Sequence, residues 1–289
     1  LLSIIIVSGK INVNSYWHCF FNILSFLFAK MLYTIIYKIL SEWRKLMIRI
    51  ILVAIFLLLY SIISLILYPV VWLIGKFNKK AKDKSSLFIV KNSFKVVRFL
   101  SGTRTTVIGY DRIPKDEPVL FVGNHKSYFD IVISYSLMPG LTGFVAKKEL
   151  KKVPVISWWM RNLYCLFLDR DDTREGLKTI LEGIDYIKKG ISIVIFPEGT
   201  TSHTLDLLPF KEGSFKFAEK TGCKIIPMVQ NNTRACFENQ FPRIKKAHTI
   251  IEFGEPIDIK SLPKEDRKFI GNYVRDIINE IQLKNEELV

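Results

Sequence analysis

Residues 50–74 form a 25-residue run without a single charge, the longest apolar stretch of the chain. At about 1.5 Å per residue such a helix spans roughly 37 Å, enough to cross a hydrocarbon core of about 30 Å. Residues 11–29 are also uncharged, but Asn12, Asn14, His18 and Asn22 interrupt them. This second stretch is expected to pair with the first or to lie in the membrane interface. Beyond residue 100 short apolar runs alternate with longer amphipathic ones. The runs predict strands at 105–108, 119–122, 143–146, 164–168, 191–196, 225–229 and 249–253, and helices at 127–138, 173–189, 212–220 and 263–283. Strands and helices in that alternation predict an α/β layered domain, with a mixed sheet of about seven strands flanked by helices and preceded by hydrophobic N-terminal membrane helices. Residues 1–84 are read as the anchoring segment and a basic linker, and residues 85–289 as the folded domain. The sequence opens on Leu1, and Met47 stands immediately before the anchor. If translation starts at Met47, residues 1–46 are not part of the native protein.

Charge sharpens the membrane reading. Of the net +15, residues 1–75 account for +5 and residues 76–100 for +7, which leaves +3 for the remaining 189 residues. Cations gathered beside an apolar helix suit anionic lipid headgroups, and they favour the cytoplasmic side for the chain beyond residue 75. The same distribution argues against a nucleic-acid binder, whose basicity would sit on the folded domain. Arg44, Lys45 and Arg49 precede the apolar run, so the anchor is read either as a span or as a monotopic helix. In Leu150–Arg161, Trp158 and Trp159 stand among lysines, which fits a membrane interface, an acyl-chain groove or ordinary core. Cys19, Cys165, Cys223 and Cys236 have no paired spacing and suit a reducing compartment. His203 and His248 lack ligand-like neighbours and are read as surface or loop residues, and no metal site is expected.

The chemistry concentrates in Asn124-His125-Lys126-Ser127-Tyr128-Phe129-Asp130 and in Phe196-Pro197-Glu198-Gly199-Thr200. Five residues at about 100° each leave His125 and Asp130 roughly 140° apart, so one helical face cannot carry both. His125 is therefore expected in a loop and Asp130 in the first helical turn, with Ser127 as N-cap and Asp130 as its capping-box partner. Capping alone would explain Asp130. A capping carboxylate is also rigid enough to accept the imidazole Nδ1 proton, which leaves Nε2 as a base.

These residues resemble the glycerolipid acyltransferases typified by 1-acylglycerol-3-phosphate acyltransferase. That family carries an Asn-His-(four residues)-Asp block, an apolar stretch ending in arginine, a Phe-Pro-Glu-Gly-Thr block and a late Ile-Pro pair. Here they read Asn124-His125 to Asp130, Leu166-Phe167-Leu168-Asp169-Arg170, Phe196 to Thr200 and Ile226-Pro227, in family order over roughly residues 85–260. The resemblance implies transfer of a fatty acyl group from acyl-CoA or acyl-carrier protein to the free hydroxyl of a lysophospholipid. Such an enzyme needs no cofactor beyond its co-substrate, and its product would be phosphatidic acid.

His125 would be the base, with Asp130 orienting it, and backbone amides near the Ser127 helix would receive the oxyanion. Arg170, Glu198, Gly199 and Thr200 would line the acceptor headgroup site, Glu198 binding glycerol hydroxyls or a cation. Lys211 is a further phosphate candidate, though a lone lysine is usually just solvated. Arg170 could instead pair with Asp169, Asp171 or Asp172. Many family members have arginine where this chain has Thr201, which loosens the choice of acceptor. Another lysolipid acceptor, or a non-catalytic membrane lipid binder, are the competing readings.

Overall fold

The computed structural model describes residues 13–289 apart from 203 and 205. Ile11 and Asn12 of the weaker apolar stretch, and His203, thus lie outside the described residues. The chain divides into two units, residues 1–48 and 49–289, and the second contains the seven strands. Helix α1 is assigned to Val13–Phe77. Its part from Met47 to Phe77 is long and apolar enough to cross a membrane, and only 11% of its most apolar stretch is buried.

Helix α2 (Lys79–Ser101) includes most of the stretch expected to be a basic linker. Asn78 caps it by accepting from the Ala81 amide at 3.0 Å, and Gly102 ends it in the left-handed conformation (φ 74°). Several of its polar residues turn inward: buried Asp83 accepts from the Tyr164 hydroxyl, Lys91 donates to the Met138 carbonyl and Arg98 to Ser136 Oγ. Lys91 and Arg98 are therefore spent on the fold rather than on lipid.

The seven strands are β1 (Arg104–Ile108), β2 (Leu120–Gly123), β3 (Thr142–Lys147), β4 (Leu166–Leu168), β5 (Ser192–Ile195), β6 (Ile225–Asn231) and β7 (His248–Phe253). They form one mixed sheet in the order β1-β7-β6-β2-β5-β3-β4. β6 and β7 pair antiparallel and all other neighbours pair parallel. The flanking helices are α3 (Tyr128–Leu137), α4 (Ile156–Asn162), α5 (Thr173–Lys188), α6 (Lys216–Thr221), α7 (Lys264–Lys268) and α8 (Ile270–Glu286). The helix expected over 263–283 is broken at Phe269 (φ −118°, ψ 42°), and the one expected over 212–220 begins as a short 3-10 turn. Tyr164, expected in a strand, sits at φ 58°, so β4 starts two residues later.

Side-chain alternation along the central strand builds two cores. Phe121 faces one layer with Ile133, Trp159, Val90 and Val97, whereas Leu120 and Val122 face Ile184, Phe217, Val274 and Ile278. Pro227 lies within β6, but β7 pairing begins only at Met228, so its missing N–H breaks no ladder on that side.

Residues 49–77 of α1 pack onto the first core. Trp159, 3% exposed, donates its indole N–H to buried Ser64 at 3.0 Å, and Tyr68 packs against both Trp158 (5.3 Å between centroids) and Trp159. Trp159 is thus core, tied to the apolar helix. Ser64→Val leaves that indole without an acceptor and is expected to cost about 1–3 kcal/mol, read as a lowered midpoint in thermal unfolding of the purified protein.

Candidate active site

Loops leaving the C-terminal ends of three adjacent parallel strands, β6, β2 and β5, converge on one edge of the sheet, the place where open α/β sheets bind ligands. The β2 loop carries His125. Ser127 (φ −151°, ψ 154°) caps α3, with its hydroxyl accepting from the Phe129 amide at 2.9 Å and Asp130 completing the capping box. One oxygen of Asp130, Oδ2, accepts from the Lys126 amide at 2.7 Å, the Ser127 amide at 2.8 Å and His125 Nδ1 at 2.9 Å. The carboxylate is 1% exposed, and its Oδ1 is buried without a partner. Because two backbone donors already fix Oδ2 as an acceptor, the ring nitrogen facing it carries the proton. In the neutral ring Nε2 then presents its lone pair, and among the described residues it makes no hydrogen bond.

The β5 loop holds the histidine from the other side. The Phe196 ring stacks on the His125 ring at 4.4 Å between centroids and 19° between planes, so the ring plane is set by packing as well as by Asp130. Glu198, 4% exposed, accepts from the His125 amide at 2.9 Å through Oε1 and from the Leu208 amide at 3.0 Å through Oε2. The Ser202 amide donates to the His125 carbonyl at 2.8 Å. Burial pushes the Glu198 carboxyl above its ordinary value, and the two amides hold it back. Glu198 therefore works as a brace between the two loops, with each oxygen already engaged by the chain.

Gly199 takes φ 74°, and a Cβ there would lie 3.0 Å from both Cε and Nζ of Lys211. The lysine side chain thus runs across the turn, and its amide donates to the Pro197 carbonyl at 3.1 Å. Gly199→Ala is expected to cost about 1–2 kcal/mol for the left-handed backbone and to push Lys211 aside. A fall in thermal midpoint is the measured outcome. Thr200 is exposed at the rim of this turn.

The structure brings together His125, Asp130, Glu198, Gly199, Thr200 and Lys211. Arg170 lies two residues past the end of β4 on the sheet's outer edge, with β5 and β3 between that strand and β2. The expected alternative partners of Arg170 are engaged elsewhere: Lys148 holds Asp169 at 2.8 Å and Asp171 at 3.7 Å, and Asp172 caps α5 through the Arg174 and Glu175 amides. No hydrogen bond or ion pair to the Arg170 guanidinium forms among the described residues.

The amides at the start of α3 do not fit the oxyanion role expected of them. His125 donates to Glu198, Lys126 and Ser127 to Asp130, Tyr128 to Glu238 Oε1 at 2.7 Å, Phe129 to Ser127 Oγ and Asp130 to the Ser127 carbonyl. Six consecutive donors are thus consumed internally. Glu238, whose Oε2 also accepts from the Ser127 hydroxyl at 2.7 Å, was not found from sequence. It arrives from a turn more than a hundred residues downstream, where no local pattern marks it. Two carboxylates against one helix N-terminus saturate its partial positive charge, so this end is not an open phosphate site.

Residues 104–231 match the family model described as Acyltransferase. The chain is 31% identical over 206 residues to a protein of Haemophilus influenzae named 1-acyl-sn-glycerol-3-phosphate acyltransferase, a match covering 68% of this chain and 82% of that one. A Saccharomyces cerevisiae protein of the same name is 31% identical over 186 residues, 63% of this chain and 61% of its own length. The match thus leaves more than a third of the yeast relative uncovered. The crystal structure of the 1-acyl-sn-glycerophosphate (LPA) acyltransferase from Thermotoga maritima superposes with a TM-score of 0.66 at 24% identity, covering 82% of this chain and 97% of that one. That likeness supports the fold described above.

Proposed function

The chain belongs to the glycerolipid acyltransferase family that includes the proteins named 1-acyl-sn-glycerol-3-phosphate acyltransferase, and from that premise we propose that it acylates the free hydroxyl of 1-acylglycerol-3-phosphate to give phosphatidic acid. The observation that carries this reading is the His125 ring, fixed at Nδ1 by Asp130 at 2.9 Å and unpartnered at Nε2. Nε2 takes the proton of the acceptor hydroxyl as its oxygen bonds to the thioester carbonyl carbon. Collapse of the tetrahedral adduct breaks the C–S bond, and the imidazolium returns the proton to the departing thiolate. Asp130 stabilises the imidazolium in between. No serine or cysteine nucleophile takes part.

The oxyanion needs donors that the start of α3 cannot supply. The amides of Thr200 and Thr201, which donate to no protein acceptor among the described residues, follow directly on the brace that positions His125. We assign the oxyanion to them. Lys211, lying across the Gly199 turn, is assigned to the acceptor phosphate, and Arg170 to an anion at the outer rim. The acyl donor is acyl-CoA or acyl-carrier protein.

The apolar helix Met47–Phe77 supports a membrane location, and the cations of residues 76–100 support the cytoplasmic face. Thr201 in place of the family's arginine favours a second reading in which the same chemistry serves another lysolipid. Purified full-length protein in lipid vesicles, given radiolabelled acyl-CoA or acyl-carrier protein and a panel of lysolipids, tests both. Acylation of lysophosphatidate above all other acceptors is expected. Preference for a different lysolipid would select the second reading, and no acylated product from any acceptor would end both.

A further inference from the structure

We propose that the loop joining β6 to β7, residues 232–247, seats on an anionic bilayer surface and so brings the His125 loop to the lipid, an inference that rests on the membrane location and the lysolipid acceptor read above. The loop closes on itself: the Lys245 amide donates to the Cys236 carbonyl at 3.0 Å, and the Phe241 ring packs against Phe237 at 5.4 Å between centroids. Even so Phe241 is 73% exposed, and Pro242, Lys245 and Lys246 are exposed with it. Apolar side chains held out beside cations are the composition of a segment that enters the headgroup region, the ring toward the acyl chains and the ammonium groups at the phosphates.

Charge singles out the same loop. Arg234, Arg243, Lys245 and Lys246 against Glu238 give it a net +3, which equals the net charge of the whole chain beyond residue 100. The rest of the folded domain is therefore neutral on balance. The Lys245 and Lys246 side chains form no ion pair among the described residues, whereas Glu238 is spent on the Ser127 hydroxyl and the Tyr128 amide.

The loop also continues a surface suited to lipid. At its base Cys236 Sγ accepts from the Thr103 hydroxyl at 3.5 Å, and the preceding Gly102 lies against Arg49, where a Cβ would meet Arg49 Nε at 3.1 Å. Arg49 stands at the head of the apolar run, whose Ile51, Leu52 and Ile55 are exposed. Cys236, Phe237 and Ile244 pack in the same core layer as Val53 and Val71 of that run, so loop and apolar helix share one face of the sheet. A bilayer fits this surface better than an acidic protein does, because the exposed apolar face of residues 49–77 calls for lipid beside the lysines. Through Glu238 the loop grips Ser127 and Tyr128, just after His125, and Tyr128 is itself 71% exposed. Seating the loop thus sets the histidine beside the layer in which a lysolipid resides.

The test uses full-length protein on vesicles of phosphatidylglycerol and phosphatidylcholine, with Cys19→Ser and Cys223→Ser to remove those thiols and a nitroxide attached through Phe241→Cys. On vesicles this label is expected to become more accessible to oxygen and less accessible to a water-soluble nickel chelate. A label at Leu181→Cys, exposed on α5 against the opposite core, is expected to change in neither. Lys245→Glu with Lys246→Glu is expected to lower the submerged fraction of the 241 label by about fivefold or more, the factor for losing one headgroup-paired cation. Pro242→Cys repeats the reading at a second position, and a thermal midpoint equal to the parent's excludes misfolding. Phe241→Ser is expected to raise KM for a vesicle-borne lysolipid and to leave KM for the acyl thioester within about twofold. The proposal is overturned if the labels at 241 and 242 stay as open to the chelate as the one at 181, or if the lysolipid KM keeps its parental value. It is equally overturned if the 241 label responds only to added acyl-carrier protein, or if labels on two copies broaden each other instead. If the protein transfers no acyl group, the proposed function fails, yet the depth of the label still decides the loop.

Discussion

His125→Ala is expected to lower acyl transfer by about 10²–10⁴, the range that a positioned general base contributes. The loss should fall on kcat, because in the proposed mechanism the imidazole acts on a proton that moves only in the transition state. Stability should change by no more than about 1 kcal/mol, since the side chain is 20% exposed and Asp130 keeps its two backbone donors. Initial rates from a labelled thioester, combined with vesicle flotation and a thermal melt, measure all three quantities. A variant that floats and melts like the parent and still turns over at the parental rate would remove His125 from the chemistry.

Asp130→Ala is expected to have the larger combined effect. It strips a buried acceptor from the Lys126 amide, the Ser127 amide and His125 Nδ1 at once, opening the capping box and freeing the ring. A rate loss comparable with that of His125→Ala should be accompanied by a stability loss of about 3 kcal/mol or more. Asp130→Asn separates the two roles. Its carbonyl oxygen can meet the three donors while its NH2 takes the unpartnered Oδ1 position, so most stability should survive. The charge that steadies the imidazolium is gone, and a rate loss of about 10² is expected. If Asp130→Asn were as active as wild type, the carboxylate would be only a helix cap. Denaturant melts alongside initial rates distinguish these outcomes.

How far the sequence reached depends on whether the deciding contact was local. The seven strands were legible because most are short apolar runs bounded by turn residues. Ser127 as cap and Asp130 as its partner were legible because they lie three residues apart. Helix α2 was hidden by its own surface: its buried positions include Asp83, Ser86 and Ser101, so apolar periodicity undercounts the packed face. The saturation of the α3 amides could not be read, because Glu238 comes from a distant turn. Nor could the bracing role of Glu198, whose two partners, His125 and Leu208, meet only when β2 and β5 pair. Arg170 shows the reverse limit. Its motif identified the residue, but only the strand order reveals that it stands three strands from the histidine.

The stacked Phe196 ring has an energetic side beyond orientation. An aromatic face carries a negative quadrupole that is nearly indifferent to a neutral imidazole but attracts a cation. In the proposed step the imidazole becomes positively charged as it takes the alcohol's proton. The contact is therefore worth more at the crest of the barrier than in the resting protein, which is the condition for a contact to speed a reaction rather than merely stabilise its starting complex. In the proposed step an apolar side chain with no proton to offer thus takes a share in moving one.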